Sequence, residues 1–237
     1  MRLVNDKNQE FFLFRGIKLI NSTAISANLQ WRIENQNYEK TEIDLVLDTV
    51  DENDVVLEIG AGIGAVSTMI LTHKKVKKYM CVEANPQLIS LIKKNHRINN
   101  IDNCEIVSGV MTNDVSMHEF DFYVCDDFWE SSLRKPASGC TKVLKISGHN
   151  FSEFLQRHQP SFIICDIEGG EFDLFTQGVD LSSVRKICIE VHSSSPKEYL
   201  DLYAFFVDQG LYLENPPLKE GVALFRRRKP PEERGIS

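Results

Sequence analysis

The 237-residue chain lacks a C-x-x-C pair, an internal repeat and any linker-like stretch. No apolar run approaches the roughly 18 residues that a membrane span needs. Its six cysteines, Cys81, Cys104, Cys125, Cys140, Cys165 and Cys188, stand apart. That spacing speaks against a thioredoxin-like motif or a zinc site, and they read as small hydrophobes kept reduced. Basic charge is also short. Lys and Arg number 27 against 34 Asp and Glu, a formal net charge of −7, which disfavours a general binder of nucleic acid or anionic membrane. The first ten residues, M-R-L-V-N-D-K-N-Q-E, carry acids and amides where a signal peptide would be apolar. A cytoplasmic protein is therefore expected, with neither nucleic acid nor a membrane as partner.

What is present centres on V55-V-L-E-I-G-A-G-I-G64. A short apolar run leads into three glycines, and 65–71 then reads as a helix. Strand, glycine turn and helix make the first half of a nucleotide-binding βαβ unit. Gly60 permits the tight turn, and Gly62 and Gly64 let backbone approach a ligand where a Cβ would collide.

In chain order, 11–14 and 17–20 flank an Arg15-Gly16 turn, a hairpin preface. Residues 21–40 are polar and read as irregular. Thr41 is placed to cap a helix through Val50, with Ile43, Val46, Leu47 and Val50 on one face. Strands are expected over 55–59, 79–83, 104–108, 162–166 and 186–191. Helices are expected over 86–97 behind the cap Asn85, and over 150–158, 170–177 and 196–209. Residues 110–146 form a small β insert, 211–213 and 222–225 a closing antiparallel pair, and 226–237 a flexible tail. N215-P-P-L218 reads as a proline turn, R226-R-R-K229 as a solvated edge, and His73, His96, His118, His149 and His158 as surface residues, with His149 near enough to strand 162–166 to reach a substrate. The alternation predicts one α/β domain over 1–225: a doubly wound, mostly parallel sheet with an antiparallel closing strand, and a preface and lid-like segment in 1–50.

The ligand is narrowed by two acids. The third glycine comes one residue too early for the dinucleotide pattern G-x-G-x-x-G. Glu58 sits two residues before the first glycine, and Glu83 ends the second strand, where an acid accepts hydrogen bonds from ribose hydroxyls. E-x-G-x-G-x-G with that second acid resembles class I S-adenosylmethionine-dependent methyltransferases. The resemblance implies that Glu58, Gly60, Gly62, Gly64, Glu83 and Asn85 hold the cofactor, with Ser108, Gly109 and Val110 bordering its adenine.

A second constellation is C165-D-I-E-G-G-E-F-D-L-F175. Asp166 and Glu168 alternate to one side of an extended chain, Glu171 opens the next helix, where the dipole favours an anion, and Phe172 and Phe175 pack inward. The carboxyl ends of parallel strands are where such sheets place their sites. With V-L-E-I-G-A-G-I-G, C-V-E-A-N-P and the later E-V-H at 190–192, D-I-E-G-G-E resembles the FkbM family of methyltransferases over roughly residues 38–215. The Tyr38-Glu39 pair resembles that family's segment before the first helix, which implies that Glu39 closes over the methionine end of the cofactor together with Asp166. The family implies O-methylation of hydroxyls on sugars or polyketide-like products. The chain departs from the pattern at S147-G-H-N-F-S-E-F154, where the family carries a T-L-D-like stretch, and in D126-D-F-W-E-S-S-L133.

Methyl transfer to a hydroxyl needs the proton removed, or its pKa lowered by a metal. Two mechanisms stay open. In one, His192 is the general base, and Asp166, Glu168 and Glu171 orient it and the acceptor. In the other, Asp166, Glu190 and His192 hold a divalent cation such as magnesium, as some catechol-type O-methyltransferases do. The insert supplies substrate candidates: Trp129 to stack on a sugar ring, Ser131 and Ser132 to meet its hydroxyls. A small-molecule or glycan acceptor is expected; a lipid or polyketide hydroxyl, or a binding module without catalysis, is the alternative.

Overall fold

The computed structural model describes residues 10–114, 116, 118–125, 133, 140–192, 195–214 and 221–228. Strands β1 (Phe11–Phe14) and β2 (Ile17–Ile20) form the expected hairpin. Arg15 and Gly16, with φ of 46° and 91°, supply the two positive-φ positions of a tight hairpin turn. Helix α1 (Ala27–Glu34) follows within the stretch read as irregular. Only Leu29 and Ile33 of it are buried, so its apolar stripe is two residues one turn apart. Its start is fixed by the Ser26 side chain accepting from the Leu29 amide at 3.3 Å. Helix α2 (Lys40–Thr49) is not capped by Thr41. The residue before it is Glu39, in left-handed conformation at φ 45° with no side-chain capping bond.

Next come β3 (Val55–Ile59), α3 (Ala65–His73), β4 (Lys78–Glu83), α4 (Pro86–Ile98) and β5 (Cys104–Ser108). Asn85 caps α4 as expected, accepting from the Gln87 amide at 3.0 Å. The insert is a three-stranded sheet of β6 (Val110–Thr112), β7 (Glu119–Cys125) and β8 (Cys140–Asn150), in the order β6-β8-β7. It runs to Asn150 rather than 146, because β8 continues through Gly148–Asn150 to pair with β6. Then follow α5 (Phe151–His158), β9 (Phe162–Cys165), α6 (Glu171–Leu174), β10 (Lys186–Glu190), α7 (Pro196–Asp208), β11 (Leu211–Leu213) and β12 (Val222–Arg227). Arg226 and Arg227 belong to β12 rather than to a tail. The Arg227 guanidinium donates to the carbonyls of Val184, Gln209 and Leu181 at 2.6–2.9 Å.

The main sheet has the order β11-β12-β10-β9-β3-β4-β5. Its five strands from β10 to β5 are parallel and β12 runs antiparallel to β10. This is the doubly wound, mostly parallel sheet with an antiparallel closing strand. Alternate residues feed two cores. Val56, Tyr79, Cys81, Phe162 and Ile164 face the hairpin and α1–α4. Leu57, Met80, Val82, Ile163 and Ile187 face α5–α7. Both faces are covered, which is why these strands read as unbroken apolar runs. All six cysteines are free thiols, four of them buried. Among the described residues, no helix is long and apolar enough to cross a membrane.

The order reverses between β3 and β9, so the crevice at their carboxyl ends is the place for a ligand. Gly60 makes that junction possible. A Cβ built on it would lie 1.7 Å from the Asp166 carbonyl oxygen, and its φ is +88°. Gly178 has a similar φ, +94°, with nothing within 4 Å of its Cβ position. Gly60→Ala is therefore expected to cost about 2–4 kcal/mol, from left-handed strain plus backbone overlap, whereas Gly178→Ala carries only the strain, about 1–2 kcal/mol. Urea unfolding of the pair checks this; equal losses would remove the close-approach argument.

Candidate functional site

A cavity of about 470 Å³ opens at the carboxyl ends of β3, β4 and β9. Its floor is Gly60, Ala61 and Gly62; Tyr38, Glu39 and Glu42 close one side, and the insert's Val110, Met111, Phe120 and Phe122 close another. Glu58, Glu83, Asn85, Gly109, Asp166 and Glu168 also line it. Two expected cofactor residues stand apart. Gly64 does not line the cavity; a Cβ there would meet the Ile92 side chain of α4 at 3.0 Å. Ser108 is exposed, and its carbonyl accepts from His149 Nε2 at 2.8 Å, which holds the His149 ring of the insert against the end of β5.

Glu83 organises the glycine loop. One carboxylate oxygen accepts from the Gly62 amide at 2.8 Å, the other from the Asn85 amide at 2.7 Å. Burial still pushes its pKa up to about 7 against those bonds. Glu58 lies under the loop, accepting from the Tyr79 hydroxyl at 2.8 Å. Burial lifts it to about 8, with the Tyr79 bond opposing and Glu83 and Glu39 adding to the rise. Burial and the neighbouring Glu190 lift Glu39 to about 7. Burial, then the surrounding carboxylates, hold Glu42 and Asp166 well above the usual range. A cavity with this much costly negative charge suits a cationic ligand.

Glu58 and Glu83, two of the raised acids, act in the same direction. Glu58 and Glu83 bind protons more tightly folded than unfolded, so they stabilise fully below the unfolded carboxyl pKa, and that stability is lost as pH rises through about 7 and 8. Urea midpoints of the ligand-free protein are expected to fall from pH 5 to pH 8.5. Glu58→Gln should flatten the slope; an unchanged slope would show that the carboxyl does not stay protonated.

Beyond β9 the chain turns rather than extending. Glu168 has φ 53° and Gly169 φ 93°, so Asp166 and Glu168 do not alternate along a strand as expected, although both reach the cavity. The helix expected over 170–177 is the single turn α6. The carbonyls of Asp173 and Leu174 are taken by the Asn113 side chain at 3.2 and 2.6 Å, which substitutes for a further turn. Phe175 is buried, while Phe172 packs only partly against the core.

His192, two residues past β10, meets this turn. Its Nδ1 lies 2.9 Å from an oxygen of fully buried Glu171. That same oxygen accepts from the Gly169 amide at 3.2 Å, and the other oxygen has no hydrogen-bond partner. Nε2 lies 3.4 Å from Glu168, 3.6 Å from Glu190 and 3.9 Å from Asp166. Burial pulls the imidazole pKa down, but the Glu171 bond and the charges of Glu168, Glu171 and Glu190 outweigh it and raise it to about 9.

Asp166, Glu190 and His192 do not fall into one common ligand set. Asp166 belongs to two groups whose ligand atoms lie within 4.8 Å of one another: Asp166, Glu168 and His192, and Glu39, Asp166 and Glu190. Trp129, Ser131 and Ser132 lie outside the described residues, as do 215–218. His96 is not a surface residue. It is buried between α3 and α4, 3.0 Å from Ser67 Oγ, and burial lowers its pKa to about 4. Glu42 and the insert phenylalanines were missed. Glu42 was legible as the (i, i+3) neighbour of Glu39 on one helix face; the phenylalanines carried no signal beyond strand periodicity.

Geometry and comparison agree on a Rossmann-like methyltransferase fold. Residues 27–124 match the model of the TRM5/TYW2 methyltransferase domain, a different family from the one the motifs resemble. The structure of Trm5b from Pyrococcus abyssi superposes with a TM-score of 0.51 at 13% identity, covering 90% of this chain and 54% of that one. Among curated proteins, the uncharacterized protein MJ1452 of Methanocaldococcus jannaschii is 33% identical over 86 residues, and the chain spans only 31% of its length. The hexuronic acid methyltransferase AglP of Haloferax volcanii is 23% identical over 182 residues, 76% of this chain and 74% of that protein.

Proposed function

We propose that the protein is an S-adenosylmethionine-dependent O-methyltransferase acting on a hydroxyl of a sugar or glycan, of the FkbM type its motifs resemble. The carrying observation is the Glu171–His192 pair, which leaves Nε2 as the only ring nitrogen directed at Asp166, Glu168 and Glu190. The cofactor suits the site: Gly60 and Gly62 bring backbone to the cavity wall, and Glu58 and Glu83, which also line it, ionise more readily when a cation lies beside them. When bound, S-adenosylmethionine supplies a methyl group on a positively charged sulfur and keeps the bonding pair as a neutral thioether. The acceptor oxygen forms the new O–C bond, and its proton passes to His192 Nε2. Glu171 holds the ring through Nδ1 and stabilises the imidazolium that results. Tyr38 and Glu39 wall off the crevice from solvent.

Two features favour a sugar over RNA. The TRM5/TYW2 match ends at residue 124, before the strand that leads to Asp166, whereas the AglP match takes in three quarters of both chains. A chain of net charge −7 with an acid-lined cavity is also a poor surface for a polyanion. Labelled methyl donor offered with sugar-nucleotide, glycan and tRNA acceptors tests the reading, followed by mass spectrometry. Transfer to a sugar hydroxyl is the expected result; transfer to RNA alone would overturn it.

A further inference from the structure

Three acids that meet at the crevice, two of them lining it, are drawn from separate parts of the chain. Glu39 comes from the start of α2, Asp166 from the end of β9 and Glu190 from the end of β10. Each places a carboxylate oxygen within 4.8 Å of the other two. That spread is about what one hard cation spans across its coordination sphere, at roughly 2.1–2.5 Å per oxygen. A second observation points the same way. Glu42, one turn into α2 on the same face as Glu39, is 3% exposed, lines the same cavity, and leaves its Oε1 without a hydrogen-bond partner. A carboxylate oxygen buried without a hydrogen bond beside three other acids is costly, and a cation among them relieves that cost as a proton does. The Asp166 Oδ1 is likewise buried without a hydrogen bond.

We propose that Glu39, Asp166 and Glu190 form a binding site for a divalent cation of the magnesium, manganese or calcium kind, with Glu42 as the negative charge behind it. The donors are all carboxylate oxygens, the ligand type that suits magnesium, manganese and calcium. Three protein ligands leave positions open for water or for acceptor oxygens. The set differs from the one that includes His192, and it leaves the imidazole free. It also gives Glu39 a task that explains its placement: the residue before α2 turns its carboxylate into the crevice instead of capping the helix. Cation binding then ties the N-terminal segment to the strand ends and closes the crevice. The inference rests on the methyltransferase reading only for the use made of the ion, not for the ion itself.

The test is calorimetric titration of chelator-stripped protein with Mn²⁺ and Mg²⁺, with Mn²⁺ paramagnetic resonance as a second readout. S-adenosylhomocysteine binding is measured separately in chelator. One ion per chain is expected. Glu39→Gln and Glu190→Gln should each weaken it at least tenfold, and Glu42→Gln, one shell out, by about 10-fold. Failure to bind a stoichiometric ion overturns the site. So does an affinity that survives Glu39→Gln and Glu190→Gln but is lost in His192→Ala, which would move the ion to the other acid group. Loss of S-adenosylhomocysteine binding in Glu39→Gln and Glu190→Gln without any Mn²⁺ binding would overturn it in favour of an ammonium contact. If S-adenosylhomocysteine fails to bind the wild-type protein while Mn²⁺ binds, the methyltransferase reading fails and the cation site stands.

Discussion

Lys186→Met is expected to destabilise the protein by about 3–5 kcal/mol, the cost of leaving a buried charge without its partner. Lys186 opens β10 and is 3% exposed, with its aliphatic stem in the core and its ammonium 5.2 Å over the Phe162 ring. The Nζ donates to the Thr49 carbonyl and to Asp51, both at 2.9 Å, and to Asp54. Asp54 has no exposed surface. Its oxygens also accept from Ser161 Oγ at 2.7 Å, Arg185 at 2.8 Å and the Asp51 amide at 2.9 Å. Ser161 in turn accepts from the Val55 amide at 3.0 Å. One network thus pins the starts of β3, β9 and β10 and the end of α2. Methionine keeps the stem and removes the charge, so the loss falls on Asp54, whose remaining cation, Arg185, is half exposed. The double variant Asp54→Asn/Lys186→Met removes both charges and should recover part of the loss, as a double-mutant cycle reads. Urea unfolding gives all four corners. A single-variant loss under 1 kcal/mol would show that solvent, not Lys186, balances Asp54. The network lies at the amino ends of the strands, a strand length of roughly 16 Å from the crevice at about 3.3 Å per residue, so cofactor affinity should not change.

The same distribution explains what the chain disclosed and what it hid. The parallel strands were legible because burial on both faces leaves nothing but apolar residues and two acids in 55–59 and 79–83. Asn85-Pro86 announced α4 through local chemistry alone. Local signals failed where long-range contacts decide. Helix α1 rests on two buried residues, and α6 stops after one turn because Asn113, some sixty residues away, takes its carbonyls. Resemblance points to Glu39, but nothing in the local sequence signals its left-handed backbone, which precedes α2 without a capping bond. The meeting of Glu171 with His192 could be placed only to neighbouring strand ends. That His192 Nδ1, rather than Nε2, faces Glu171 depends on the turn at Glu168 and Gly169, and its two left-handed residues have no period-2 or period-3.6 signature.

His192→Ala is expected to lower kcat by about 10²–10⁴-fold, the usual loss when a positioned proton acceptor is removed. S-adenosylhomocysteine affinity should stay within about twofold, because His192 does not line the cavity proposed to take the cofactor. Glu171→Gln separates chemistry from positioning. Glutamine fits the same buried space and can still bond Nδ1, but it removes the charge that helps raise the imidazole pKa to about 9. If His192 is the base, as proposed, in the free enzyme it becomes active only as pH rises through that value. The rising limb of kcat/KM should therefore move to lower pH in Glu171→Gln, while kcat at its new optimum falls less than in His192→Ala. A purely structural Glu171 would lower activity at every pH without moving the limb. A positive ligand among Asp166, Glu168 and Glu190 acts in the same direction as that substitution, by offsetting the acids that hold the proton on the ring. The limb in kcat, which reports the loaded enzyme, should thus lie below the limb in kcat/KM. Coincident limbs would mean that no cation approaches Nε2, and that the proton leaves the acceptor by another route.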